Sequence, residues 1–243
     1  MSILPYQDQA DTKKKQVEQM FDNIAPKYDV LNRILSLRID VLWRKKMVRI
    51  LRNHNAAIEN ILDVATGTGD VALALADLNP KKIVGLDLSS KMLAVGVEKI
   101  KKENLSQLIE MVQGDSEALV FPTATFDAVT VAFGVRNFEN LSKGLSEMHR
   151  VLNSNGILMV LEFSKPTIFP IKQVYNFYFS TYVPWLGNKI SKDKGAYSYL
   201  YKSVQAFPEG NDFIEQLANT GFENIQQRRL SGGIATLYWG IKK

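Results

Sequence analysis

Apolar residues recur at two different periods along this chain, and the change of period divides it. Val17, Met20, Phe21 and Ile24 fall three or four apart, as do the apolar residues between Val41 and Leu51. That spacing gathers side chains on one face of a helix. Residues 16–52 contain no glycine, and Pro26 separates the two runs, since proline lacks the amide donor a helix interior needs. From residue 59 the pattern changes. ENILDVAT (59–66), KKIVGLDL (81–88), LIEMVQGD (108–115), ATFDAVTVAF (124–133) and GILMVLEFS (156–164) read as strands. Between them DVALALADL (70–78), SSKMLAVGVEKIKKE (89–103) and NLSKGLSEMHRVL (140–152) read as helices. The second of these has a serine cap and a basic end, matching the two helix poles. The fifth strand is almost wholly apolar, as a strand covered on both faces should be.

Strands alternating with helices of this length predict a parallel, doubly wound α/β sheet. Residues 165–203 break the rhythm with an aromatic-rich stretch. PEGNDFIEQLANTG (208–221) is then a helix stopped by Gly221, and FENIQQRRL (222–230) and IATLYWGIKK (234–243) pair through Ser231-Gly232-Gly233 as an antiparallel hairpin. The expected architecture is one Rossmann-like domain over 1–243 with seven mostly parallel strands. Residues 1–55 form an N-terminal helical cap and 165–203 a lid-like insertion. There are no internal repeats.

Composition narrows the chemistry. The chain has no cysteine, which excludes disulfides, thiolate-bound zinc and a catalytic thiol. Its two histidines, His54 and His149, are far apart, so no metal site is expected. The N-terminal MSILPYQDQADTKKK lacks the apolar region of a signal peptide. No run reaches the roughly 18 apolar residues that span a bilayer, so the cytoplasm is the expected location. The net charge is +5, with positives at Lys13–Lys15, Arg44, Lys45, Lys46, Arg49 and Arg52. These are either solvated helix faces or a surface for anionic membrane or nucleic acid; charge alone does not decide.

The candidate site is the loop Asp63-Val64-Ala65-Thr66-Gly67-Thr68-Gly69-Asp70 between the first strand and its helix. Two glycines let the backbone turn tightly against a ligand at the carboxyl rim of the sheet. Asp87 ends the next strand, 20 residues after Gly67, where a carboxylate can accept both ribose hydroxyls of an adenosine. Asp115 ends the third strand on the same rim and can meet the adenine. Gly67-x-Gly69-x-x-Ala72 also satisfies the relaxed dinucleotide pattern. A dinucleotide, however, sets a doubly negative pyrophosphate at the helix N-terminus, where Asp63 and Asp70 repel it. S-adenosyl-L-methionine carries an ammonium and a sulfonium, which carboxylates favour, and it is the expected cofactor.

The chain resembles the quinone-biosynthesis C-methyltransferases, the demethylmenaquinone / 2-methoxy-6-polyprenyl-benzoquinol methylase family of class I S-adenosylmethionine enzymes. The likeness runs over nearly the whole length. Phe21-Asp22-x-Ile24-Ala25-x-x-Tyr28-Asp29-x-x-Asn32, Leu35-Ser36, Trp43, Phe133-Gly134-Val135-Arg136-Asn137-Phe138, Leu161-Glu162-Phe163-Ser164-Lys165-Pro166, Tyr199-Leu200 to Ser203 and Phe207-Pro208 carry it. Departures are Asp40 where the family often has histidine, Ala132 where some members have serine, and Asn153-Ser154-Asn155-Gly156 in place of Lys-Pro-Gly-Gly. The resemblance implies that Thr68, Asp87, Asp115 and Ser116 contact the cofactor, with Gly67 and Gly69 beneath its methionine portion. It implies methyl transfer to a ring carbon of a prenylated quinol, most simply demethylmenaquinol in menaquinone biosynthesis. The alternatives are a benzoquinol in ubiquinone biosynthesis, another small molecule, or RNA. No RNA-binding module is appended, and Phe133-Gly134-Val135-Arg136 stands where nucleic-acid amino methylases have an Asn-Pro-Pro-Tyr-like motif, so no nucleic-acid partner is expected.

Making the ring carbon nucleophilic requires removing a phenol proton, helped by a base or a positioned water, and a cation to stabilise the phenolate. Arg136 is the candidate cation unless it is an ion-pair partner in the structure. Asp70 either holds an activating water or simply favours its helix N-terminus. Tyr28 and Asn137 are candidates to orient the ring. The 165–203 insertion gathers Phe169, Tyr175, Phe177, Tyr178, Phe179, Tyr182, Trp185, Tyr197, Tyr199 and Tyr201, interrupted by Lys172 and Lys189. It is either an ordinary lid core or an apolar lid for a quinol whose tail lies along the inner membrane face. A homo-oligomer is compatible with the sequence.

Overall fold

A computed structural model describes residues 3–6, 10–54, 57–178, 181 and 194–243. Seven strands form one sheet in the order β3-β2-β1-β4-β5-β7-β6. They are β1 (Asn60–Val64), β2 (Lys82–Asp87), β3 (Ile109–Gln113), β4 (Phe126–Ala132), β5 (Leu152–Phe163), β6 (Phe222–Leu230) and β7 (Ala235–Lys242). The first five run parallel, and β7 lies antiparallel to both β5 and β6. This is the predicted doubly wound sheet with a terminal hairpin. Strand order reverses at β1, so the loops after β1 and β4 diverge there and leave a crevice at the carboxyl rim.

Side chains alternate along each strand between two cores. Leu62, Val64, Val129, Val131, Leu158 and Val160 face one side, with α6 (Leu141–Val151) and α9 (Asn211–Thr220) over them. Ile61, Ala128, Ile157, Met159 and Leu161 face the other, under α3 (Ile39–Arg52) and α4 (Asp70–Leu75). Ile157 to Leu161 are all essentially inaccessible, and each such side chain contributes roughly 1.5–3 kcal/mol by leaving water. β5 starts earlier than its apolar run. The expected turn at 153–156 is a bulge inside the strand, where the register with β4 jumps from Phe126–Leu152 to Ala128–Ile157.

α1 (Lys13–Ile24), capped by the Thr12 hydroxyl on the Lys15 amide, leads through a short turn at Ala25–Lys27 into α2 (Tyr28–Leu35). Pro26 sits in that turn. A second corner separates α2 from α3, where Leu37 and Arg38 take left-handed φ values of 50° and 63°. Nothing in the composition of the corner announces it, since glycine is absent. Ser36 Oγ holds it, donating to Asp40 Oδ1 at 2.5 Å and accepting from the Arg38 amide. α5 (Ser90–Lys102) begins at the Ser89 cap, whose Oγ accepts from the Met92 amide.

In the aromatic stretch, α7 (Ile171–Phe177) and α8 (Lys194–Ala206) are helical. Phe179, Tyr182, Trp185, Lys189 and the side chain of Tyr197 lie outside the described residues. Tyr175 from α7 and Ala196 and Tyr199 from α8 pack with Val17, Met20 and Leu31 of α1 and α2 in a third apolar cluster. The N-terminal helices thus meet α7 and α8 in one cluster.

Candidate functional site

Two adjoining cavities open on the carboxyl rim. The smaller, about 70 Å³, lies over the end of β2 and is lined by Gly67, Asp87, Ser89, Ser116 and Asn137, among others, with Lys14 and Phe21 of α1 as its roof. The larger, about 440 Å³, lies between α2, α3, α7 and α8, with mostly apolar walls including Leu31, Trp43, Phe163, Tyr175 and Tyr199. Phe21, Tyr28, Ala65, Gly67, Ala132 and Phe133 belong to both. They form the seam across which a group in one cavity reaches the other. Ala65 and Phe133 directly follow β1 and β4 with φ of 52° and 58°, a conformation that costs a non-glycine residue about 1–2 kcal/mol. The strain falls on the seam.

The glycine loop is built from below. Asp63 is 1% exposed and accepts from Thr66 Oγ1 at 2.5 Å and Thr130 Oγ1 at 2.6 Å. It braces the loop against β4 and lines neither cavity, and burial pushes its carboxyl up to about 6. Gly67 and Gly69 both take positive φ, as the turn requires. The Gly67 amide donates to Asp87 Oδ2 at 2.8 Å and the Ser89 amide to Asp87 Oδ1 at 2.9 Å. Burial raises the Asp87 carboxyl to about 6 against these amides.

Asp115 also lines neither cavity. Lys14 Nζ binds its Oδ2 at 2.6 Å and reaches Glu117 at 3.7 Å, while neighbouring Ser116 faces the small cavity. Lys13 Nζ donates to the carbonyls of Arg136 and Phe138, and burial lowers its pKa. Asp22 accepts from Ser89 Oγ at 2.5 Å. The basic cluster expected to face solvent or an anionic surface therefore divides: Lys13, Lys14 and Arg44 turn inward and pin the helical cap to the rim.

Asp70, first residue of α4, is bound by Lys99 and, at 3.2 Å, by Arg44, which also holds Asp40 at 2.7 Å. Burial pushes the Asp70 carboxyl up, but Lys99 and Arg44 outweigh it and hold it below its ordinary value. An ionised, twice-paired carboxylate is a poor base but a fixed negative charge on the cavity wall. Thr68 Oγ1 donates to Asp29 Oδ1 at 2.6 Å, and Lys99 joins Asp29 to the same network at 2.8 Å. Asp29 and Lys99 were not singled out in the sequence as site residues. They sit 70 positions apart, beyond any local pattern.

Arg136 lines the large cavity and is paired. Its Nη1 donates to Glu162 Oε1 at 2.8 Å and to the Phe133 carbonyl, with side chains 8% and 0% exposed. Its guanidinium also lies 5.5 Å from the Phe163 ring centroid, close enough for a cation–π contact. The ion-pair reading of Arg136 holds, and the paired residue is also part of the cavity wall. Glu162 is the partner the sequence did not disclose. Gly134 allows this geometry, since a Cβ there would stand 2.7 Å from Ala65 Cβ and 2.9 Å from Val131 Cγ2. Tyr28 belongs to both cavities and Asn137 to the small one. His149, on α6, packs edge-on against Phe222, away from the site.

The sheet has the fold of known methyltransferases. It superposes on a possible histamine N-methyltransferase from Thermotoga maritima with a TM-score of 0.65 over 93% of this chain and 99% of that one, at 16% identity. The cyclase SpnF gives a TM-score of 0.69 over 96% and 97%, at 18% identity; a cyclase and a possible methyltransferase on one fold show that fold does not fix activity. Sequence is more specific. The chain is 49% identical to the demethylmenaquinone methyltransferase of Bacteroides fragilis over 99% of its own length and 97% of that protein. It is 44% identical to the ubiquinone/menaquinone biosynthesis C-methyltransferase UbiE of Geotalea uraniireducens, over 95% and 97%. The model of the ubiE/COQ5 methyltransferase family matches residues 9–242, and with these relatives it establishes that the chain belongs to that family.

Proposed function

We propose that this chain transfers a methyl group from S-adenosyl-L-methionine to a ring carbon of a prenylated quinol, with demethylmenaquinol, converted to menaquinol, as the acceptor. The observation that carries the reading is a small cavity bordered by Asp87, Ser89 and Ser116 that shares a wall with a 440 Å³, mostly apolar one. That size suits a fused-ring head group. The donor supplies an electrophilic methyl: a carbon–carbon bond forms as the sulfur–methyl bond breaks, sulfur keeps the electron pair, and the substituted ring carbon loses its proton. Asp87 takes the ribose hydroxyls, Ser116 borders the adenine with Asp115 behind it, and Gly67, Thr68 and Gly69 turn beneath the methionine portion. Asp63 and Asp70 favour its positive charges. Arg136 stabilises the phenolate, and Tyr28 and Asn137 orient the ring across the seam.

Label from a labelled donor, supplied with reduced demethylmenaquinone in detergent, should appear in the naphthoquinol. The oxidised quinone, which has no phenol to ionise, should stay unlabelled. Transfer to a reduced benzoquinol alone would move the assignment to ubiquinone chemistry. Label in neither quinol, with donor binding intact, would overturn the acceptor.

The same reading puts the cytoplasmic enzyme against a membrane. No helix among the described residues is long and apolar enough to cross one. What supports surface contact is the mouth of the large cavity, where Leu37 and Val174 are 76% and 65% exposed, beside Ile34, Phe169 and Phe177. Lys27, Arg33, Arg38 and Lys172 are exposed among them, and the neighbouring carboxylate Asp29 is held inward by Lys99. Apolar side chains with interspersed cations suit an anionic interface. Sedimentation with phosphatidylglycerol vesicles should exceed that with phosphatidylcholine and should fall several-fold in a Phe169→Asp, Val174→Asp variant. Unchanged sedimentation of that variant would refute the contact.

A further inference from the structure

Buried polar atoms in a folded protein almost always have a hydrogen-bond partner. Arg136 Nε and the Tyr199 hydroxyl are buried without one, and both residues line the large cavity. Arg136 Nε can only donate, because an arginine nitrogen has no lone pair to offer, and the Tyr199 hydroxyl has a proton to donate as well as lone pairs. Burial raises the Tyr199 phenol to about 12, so it carries its proton at any working pH. Leaving a buried donor unpaired is costly, and two around one cavity define a place where an acceptor is missing.

The two donors come from different parts of the chain. Arg136 lies in the turn Val135–Asn137 after β4, and Tyr199 on α8, which packs against that turn. Tyr199 is 2% exposed and belongs to the apolar cluster joining the lid to α1 and α2. Neither donor atom has surface open to water in the free protein, so a partner meets them only when a ligand in the cavity displaces the side chains that cover them. Glu162 already balances the charge of Arg136. A full anion beside that carboxylate is disfavoured, while an oxygen that gains negative charge only as the reaction proceeds is favoured.

We propose that Tyr199 donates its hydroxyl to the quinol oxygen that becomes phenolate, sharing that oxygen with Arg136 Nε. The lid is then a working part of the active site and supplies a catalytic residue, as well as covering the substrate. The proposal rests on the quinol reading above. Tyr199 shifts no proton; it lowers the charge the ring oxygen must carry while the carbon attacks.

Tyr199→Phe separates this role from a packing role. The hydroxyl has no partner in the free protein, so its removal should leave the melting temperature unchanged or raised. Methyl transfer to the quinol should fall about tenfold to a hundredfold, in line with the loss of one preorganised donor. The rising limb of the pH–rate profile should shift to higher pH, because the bound phenol ionises less readily. With an acceptor lacking that ring hydroxyl, mutant and wild type should be equally slow. Wild-type transfer by Tyr199→Phe would overturn the proposal. So would a lowered melting temperature with an unmoved pH profile, which marks a packing role. Failure of the wild-type chain to methylate any quinol is a separate outcome, and it would sink the underlying reading.

Discussion

The pair between Arg136 and Glu162 lets charge balance and catalysis be measured apart. Glu162 has no accessible surface, and burial raises its pKa while Arg136 opposes that rise. Replacing Arg136 by methionine keeps much of the volume but leaves the carboxyl without its cation. Breaking a buried pair in this way costs about 3–5 kcal/mol. For a chain of 243 residues that is a fall of roughly 6–10 °C in melting temperature. The sign with pH follows from the carboxyl. Its folded pKa lies above the unfolded value and climbs further in Arg136→Met, so the folded state holds a proton that the unfolded state releases. The loss should therefore be full at pH 8 and should shrink by about 1.4 kcal/mol per unit as pH falls below the folded pKa. Adding Glu162→Gln removes the orphaned charge and should restore most of the stability, but not methyl transfer. Urea unfolding of the three proteins at pH 5.5 and 8, beside an activity assay, reads both quantities. An equal loss at both pH values would refute the charge argument. An active double variant would show that Arg136 does not act on the acceptor.

Two further predictions concern the rim. Donor affinity should weaken by about tenfold for a pH one unit below 6, because Asp87, raised to about 6 by burial, then loses the charge that accepts the ribose hydroxyls. Asp87→Asn should abolish that dependence and bind the donor about 10–100-fold more weakly, as calorimetry would show; a pH-independent wild type would contradict it. Gly134→Ala should cost about 1–3 kcal/mol by overpacking Ala65 and Val131 and should reduce transfer by displacing Arg136. A neutral variant would show that the close approach is not what requires glycine.

The alternation of strands and helices was legible because a sheet buried on both faces demands apolar runs whose period differs from that of the helices around it. The hairpin was legible for a similar reason, through its glycine turn. The corner at Leu37–Arg38 was not, since a serine hydroxyl holds it where glycine or proline was the expected signal. At the candidate site, residues whose place is set by backbone position, such as Gly67 and Asp87 on the cavity wall, could be located from spacing. Those whose role is set by a distant partner could not. Lys14 meets Asp115 across 101 positions and Arg136 meets Glu162 across 26, and a charged residue looks the same in sequence whether it faces water or a carboxylate. Motif resemblance marked Asp29 and Glu162 without saying what they bind. Asp63 braces the glycine loop through Thr66 and Thr130, a partnership that spacing did not disclose.

The most direct test of the account is the position of the transferred methyl group. With an isotopically labelled donor and reduced demethylmenaquinone, nuclear magnetic resonance of the extracted product distinguishes a methyl on a ring carbon from one on a ring oxygen. The account predicts a carbon-bound methyl, lost in Arg136→Met and strongly reduced in Tyr199→Phe. An oxygen-bound methyl would contradict it, because Arg136 and Tyr199 would then be holding the very oxygen that attacks.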